Sequence, residues 1–215
     1  MANQNCIYCL ERDANSKDHT PPKNLFPKDK RNDLITVPCC KKCNRSFSKD
    51  EEYCRAVISS TGQSQRNPSA KEILTGKVFR SLERDQAKGF RNYLRKSISP
   101  ALVYSGSGIY LGRGSKIKVQ MERVYNVIKK TVQGLVFHET ELTVSDEYEI
   151  KSQYIDSVQQ VQQLFTIFRN CPIKRIFSDD IFSYRAGIIE ENTPISSWLI
   201  TIYDSHIFLV NIVKD

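Results

Sequence analysis

The chain has 215 residues, 40% of them hydrophobic, and 32 Lys and Arg against 24 Asp and Glu, a formal net charge of +8. That is enough chain for one large domain or a small module beside a medium one, and no stretch nears the roughly 18 consecutive apolar residues of a membrane span. The opening MANQNCIYC lacks the basic region and apolar run of an export signal, so the sequence reads as a soluble cytoplasmic protein with no membrane partner.

The positive excess is one-sided. Residues 1–100 carry 20 Lys and Arg against 11 Asp and Glu, a balance of +9, whereas residues 101–215 carry 12 against 13. The half that meets a polyanion is expected to be the first.

Six of the seven cysteines lie in that half, and five of them, Cys6, Cys9, Cys39, Cys40 and Cys43, crowd into paired spacings. Cys6 with Cys9, and Cys40 with Cys43, form two CxxC pairs whose thiolates suit one tetrahedral Zn²⁺. Cys39 is an alternative to Cys40, although only Cys40 has the two-residue spacing to Cys43. Cys54 and Cys171 read as ordinary buried thiols. Residues 1–56 hold many turn formers, including Pro21, Pro22, Pro27 and Pro38, and too few apolar residues to fold without a staple, which zinc would supply. Between and beside the cysteine pairs lie Asp18, His19 and Asn44, hard donors suited to an oxygen-loving cation and a proton-transfer base. Residues 34–37 predict a strand leading into the second pair. Ser48 and Glu51 have the spacing of a capping box, which predicts a helix to about residue 59.

Residues 59–67 are a polar linker, and Asn67-Pro68 is a helix start. Leu74, Val78, Leu82, Phe90, Leu94 and Ile98 keep helical spacing. In one continuous helix, Lys77, Arg80, Arg84, Lys88, Arg91 and Arg95 would share a face and could contact phosphates, or form a solvated surface. Beyond Pro100, short strands are predicted at 101–104, 108–111 and 116–119, with helices at 122–136 and 157–169. Strands at 173–176, 182–189, 195–203 and 206–212 predict a terminal antiparallel sheet. His138 and His206 read as structural histidines and Trp198 as core. The predicted organisation is α+β: a zinc-stapled module at 1–58, a basic helical connector at 59–99 and an α+β accessory domain at 100–215.

The elements CIYC, KDHTPPKNLFP and LITVPCCKKCNRSFSKDEE together resemble the HNH endonucleases of the ββα-metal fold, in the subgroup braced by a four-cysteine zinc site. The resemblance covers about the first 56 residues. It implies a structural Zn²⁺ on Cys6, Cys9, Cys40 and Cys43, and a catalytic Mg²⁺ or Mn²⁺ held by Asp18 and Asn44. It makes His19 the general base that deprotonates a water for in-line attack on phosphorus. Asn44 stands where the name-giving pattern has its last His. The central Asn has no residue at the commonest spacing, and Asn32, Asp33 and Asn24 are structural candidates for it. The implied substrate is double-stranded DNA, with Lys23, Arg45 and Lys49 beside the ligands as further phosphate contacts. Residues 100–215 would serve target recognition, a homodimer or a partner protein, and restriction or antiviral defence are implied roles. The competing reading is a non-catalytic zinc-ribbon module that binds nucleic acid.

Overall fold

Alternation of inward and outward residues builds the first hairpin of the computed structural model, which describes residues 4–178 and 180–215. Residues 1–3 of the first expected segment, and Asp179, lie outside the described residues. Strand β1 (Ser16–Thr20) pairs antiparallel with β2 (Ile35–Cys39), placing Asp18 opposite Val37 and His19 opposite Thr36. Residues directly opposite share a face. Ser16, Asp18 and Thr20 therefore lie with Ile35, Val37 and Cys39 on the inner face, and His19 lies on the other with exposed Thr36.

Helices α1 (Lys41–Ser46) and α2 (Ser48–Ser60) complete a β-β-α order. The expected capping box does not form. Phe47 takes the N-cap position without a side-chain cap, and Glu51 turns to Lys130, because a buried ammonium needs a carboxylate partner more than an exposed helix end needs a cap.

Asn67 does cap the next helix, its Oδ1 accepting from the Ala70 N–H at 3.0 Å, with Pro68 in the first turn. The helix expected to run unbroken to residue 97 is divided into α3 (Pro68–Glu72), a π-helical stretch (Ile73–Val78), α4 (Phe79–Glu83) and α5 (Lys88–Ser97). The chain leaves helical geometry at Arg84 (φ −67°, ψ 142°). This break brings Leu74, Leu82, Phe90 and Leu94 onto one cluster with Ala56, Ile73 and Val78, and the burial of that apolar surface outweighs helix continuity.

Two long strands, β3 (Ile98–Tyr104) and β4 (Tyr110–Ile117), replace the three short ones predicted there. Helix α6 (Met121–Thr140) follows and is buried on most of its circumference. Strand β5 (Tyr148–Ile155), not expected from the sequence, pairs along its whole length with the last strand. Helix α7 (Val158–Ile167) starts at the N-cap Ser157. Strands β6 (Ile173–Phe177), β7 (Phe182–Ile188), β8 (Ser196–Ile202) and β9 (His206–Lys214) form the terminal antiparallel sheet, in the order β5-β9-β8-β7-β6.

One apolar core runs from Ile7 and Val37 through Tyr53 and Leu135 to Trp198 and Ile212, so the three segments expected at 1–58, 59–99 and 100–215 share it. Helix α6 lies between the two parts, touching β1, β2 and α2 on one side and β5 and β9 on the other. The Tyr203 hydroxyl adds a link, donating to the Leu25 carbonyl at 2.7 Å. Among the described residues no helix is long and apolar enough to cross a membrane.

Gly134 sets how close α6 comes to β1. A Cβ there would overlap Thr20 Oγ1. Gly134→Ala is therefore expected to lower the unfolding free energy by about 1–3 kcal/mol in a denaturant titration. Gly89→Ala, at a helical position with open space around it, is expected to leave stability unchanged or raise it by up to about 1 kcal/mol.

His206 behaves as the structural histidine the sequence predicted. It is buried, its Nε2 lies 2.9 Å from Ser64 Oγ and 3.0 Å from Thr61 Oγ1, and burial holds its pKa down at about 4. His138, in contrast, is exposed. Because the folded state resists protonating His206, stability should be full above about pH 6.5 and fall between there and about pH 4. The loss should be smaller in His206→Gln when melting temperature is followed against pH.

Candidate functional site

The first cysteine pair sits in a tight loop. Leu10 N–H donates to the Cys6 carbonyl at 2.8 Å with Leu10 at a positive φ of 59°, and Ile7 N–H donates to Pro38 O at 3.2 Å, tying the loop to β2. The second pair starts α1. Cys40 is the N-cap residue, and its Sγ accepts from the Cys43 N–H at 3.3 Å. That hydrogen bond draws the Cys40 thiol down to about 6, while burial pushes Cys43 up.

The sulfurs of Cys6, Cys9, Cys40 and Cys43 all lie within 4.8 Å of one another. Four thiolates at a Zn–S distance of about 2.3 Å would stand roughly 3.8 Å apart, so a small contraction seats a tetrahedral zinc ion. Strand alternation decides between Cys39 and Cys40. Cys39 completes the inner face of β2 with Ile35 and Val37, and burial raises its thiol to about 11. The position at the β2–α1 junction falls to Cys40.

Asp18 and His19 are adjacent on β1 and point to opposite faces. Asn44 reaches the same strand from α1, its Nδ2 donating to Ser16 Oγ at 3.1 Å and to Lys17 O at 3.2 Å. The structure thus brings all three expected site residues to one strand. His19 is half-buried, and burial together with the Lys23 charge holds its imidazole below the ordinary value, which keeps it a neutral proton acceptor near pH 7.

Asp18 has company that the sequence did not reveal. Its Oδ1 accepts from the His19 backbone N–H at 2.9 Å, and its Oδ2 accepts from the Tyr8 hydroxyl at 2.8 Å. The Lys130 ammonium of α6 stands 2.7 Å from the same Oδ2 and also binds Glu51. The Lys130 side chain is 0% exposed and that of Asp18 is 8% exposed. Burial, and then the Asp18 charge, push the Tyr8 phenol far up and keep it a donor. Burial raises Glu51 too, against the pull of Lys130. A buried lysine within an apolar helical pattern was the available sequence signal for this group. Its partners lie too far away in the chain for spacing to identify them.

Asp18 and Asn44 match a hard divalent ion in donor type, with ligation falling to the Asn44 Oδ1. As placed, however, the Asp18 carboxylate is already shared among Tyr8, Lys130 and a backbone N–H. Of the central-Asn candidates, Asn24 has a buried Oδ1 without a partner among the described residues, and Asn32 and Asp33 are exposed.

Lys23, Arg45 and Lys49 are exposed around this strand and helix. Arg80, Arg84, Lys88, Arg91 and Arg95 are exposed as well, but the break at Arg84 separates them between two helices, so the single stripe is not formed. Lys77 turns inward to the Phe26 carbonyl, and burial lowers it to about 8, which removes it from a phosphate-facing set.

No protein-family model, curated protein or solved structure matches the chain.

The thiol cluster predicts which substitutions remove zinc. Cys40→Ser should lose the bound metal by elemental analysis and melt at a lower temperature, whereas Cys39→Ser should keep one zinc per chain.

Proposed function

We propose that the chain is an HNH-type endonuclease that hydrolyses phosphodiester bonds of double-stranded DNA. The observation that carries the reading is that Asp18 and His19 stand side by side on β1 while Asn44, on the helix that a cysteine pair initiates, hydrogen-bonds Ser16 and Lys17 just before them. His19 takes the proton of the attacking water through a ring that burial and Lys23 bias toward the neutral form. Asp18 fixes the strand locally by accepting the His19 N–H, which holds the backbone that carries the base. A bound Mg²⁺ or Mn²⁺ would polarise the scissile phosphate and stabilise the leaving oxyanion, and Asp18 and Asn44 are the residues that would hold it. Zinc on the four cysteines closes the module and leaves no open position for chemistry. Exposed Lys23, Arg45 and Lys49, with the arginines of α4 and α5, supply positive charge for the DNA backbone.

A second reading, a nucleic-acid-binding zinc module without catalysis, is favoured by the Lys130–Asp18 ion pair, which neutralises the carboxylate an ion would need. Plasmid nicking separates the two. The endonuclease reading predicts cleavage of duplex DNA in Mg²⁺ or Mn²⁺ and a fall of about 100-fold or more in His19→Ala, with zinc content and circular dichroism unchanged. Wild-type protein that binds DNA but cuts it with no divalent ion, or His19→Ala that cuts at the wild-type rate, defeats the reading.

A further inference from the structure

We propose that Lys130 is a built-in competitor at Asp18: its ammonium occupies the carboxylate a divalent ion would need, and Glu51 is the second acceptor onto which the ammonium must be drawn before an ion can enter. The proposal rests on the reading of Asp18 as an ion-holding residue. Lys130 is a positioning residue in it, acting through Asp18.

The geometry carries each part. Lys130 Nζ lies 2.7 Å from Asp18 Oδ2 and also contacts Glu51 Oε1, so one ammonium already bridges the two carboxylates. Both are needed, because an ammonium removed from water is tolerated only where acceptors replace its hydration. The Phe47 ring, 5.1 Å from Nζ, gives the cation a further weak attraction. A divalent ion on the same Asp18 oxygen would sit against a full positive charge in a nearly closed site, where screening is poor, so the two cations exclude each other. Glu51 is the more open of the two acceptors, with 19% of its side chain exposed against 8% for Asp18. A shift of Nζ wholly onto Glu51 frees Asp18 without leaving the ammonium unpaired. Gly134, one helical turn beyond Lys130, packs on Thr20, two residues beyond Asp18, so the close approach of α6 to β1 holds the competitor in reach.

The test is Mn²⁺ binding by the full-length, zinc-loaded chain without DNA, read from the electron paramagnetic resonance signal of free Mn²⁺. Lys130→Met is expected to tighten Mn²⁺ binding by about tenfold or more, and Asp18→Asn should abolish the gain. Glu51→Gln should weaken binding, because it confines the ammonium to Asp18, and the weakening should be several-fold smaller once Lys130 is Met, where only the lost carboxylate charge remains. Misfolding does not produce shifts of opposite sign. The double variant Lys130→Met with Glu51→Gln keeps the net charge of the buried group and guards against loss of folding in Lys130→Met alone. Binding that is absent from every variant, or unchanged or weakened by Lys130→Met, overturns the proposal. So does a Glu51→Gln effect that is as large without Lys130 as with it, since Glu51 would then act on the ion and not through the ammonium. Failure of the endonuclease reading looks different: wild type cuts no DNA, whatever the order of the Mn²⁺ affinities.

Discussion

The ammonium of Lys130, enclosed between Asp18 and Glu51, is the interaction on which the rest of the arrangement depends. Charge taken out of water is costly, and the cost falls only if partners meet it in one geometry. Meeting Lys130 ties three elements together: β1 through Asp18, α2 through Glu51, and α6, which carries the lysine. The same face of α6 extends the contact, with Arg123 2.7 Å from Asp50 and Asn126 donating to the other Asp50 oxygen at 2.9 Å. Through α6 the cysteine-braced hairpin is joined to the terminal sheet in one apolar core.

That joining gives the two candidate cation sites different characters. The four thiols come from two local loops, joined where the Ile7 N–H donates to the Pro38 carbonyl of β2 next to the start of α1. The Asp18 carboxylate is shaped by a residue from that second half. A zinc site of this kind would hold the module closed, whereas Asp18 is held by the Lys130 ammonium. Residues 100–215 therefore do more than accompany the first module, since one of their helices completes its polar interior.

Legibility in the sequence followed the range of the interactions. The cysteine pairs were readable because their spacing is local, and the opposed directions of Asp18 and His19 follow from strand alternation alone. The terminal strands were readable from their apolar runs. Strand β5 does carry a strand's alternation, with Tyr148, Ile150 and Tyr154 inward and Glu149, Lys151 and Gln153 outward, and polar Ser152 on the inward face is what weakens it. The capping box and the unbroken basic helix failed for one reason. Local preference at Ser48–Glu51 and at Arg84 yielded to tertiary demands, a buried ammonium in one case and an apolar cluster in the other. Tyr8 and Lys130 could not be assigned to Asp18 by any spacing, because the fold alone brings them together.

The most direct measurement is a double-mutant cycle on unfolding free energy, comparing Asp18→Asn, Lys130→Met and the pair in denaturant titrations of the zinc-loaded chain. A coupling of at least about 1 kcal/mol is expected, with the double variant less destabilised than the two single effects combined. Strictly additive effects would contradict it, because Asp18 and Lys130 would then not be partners in the folded protein.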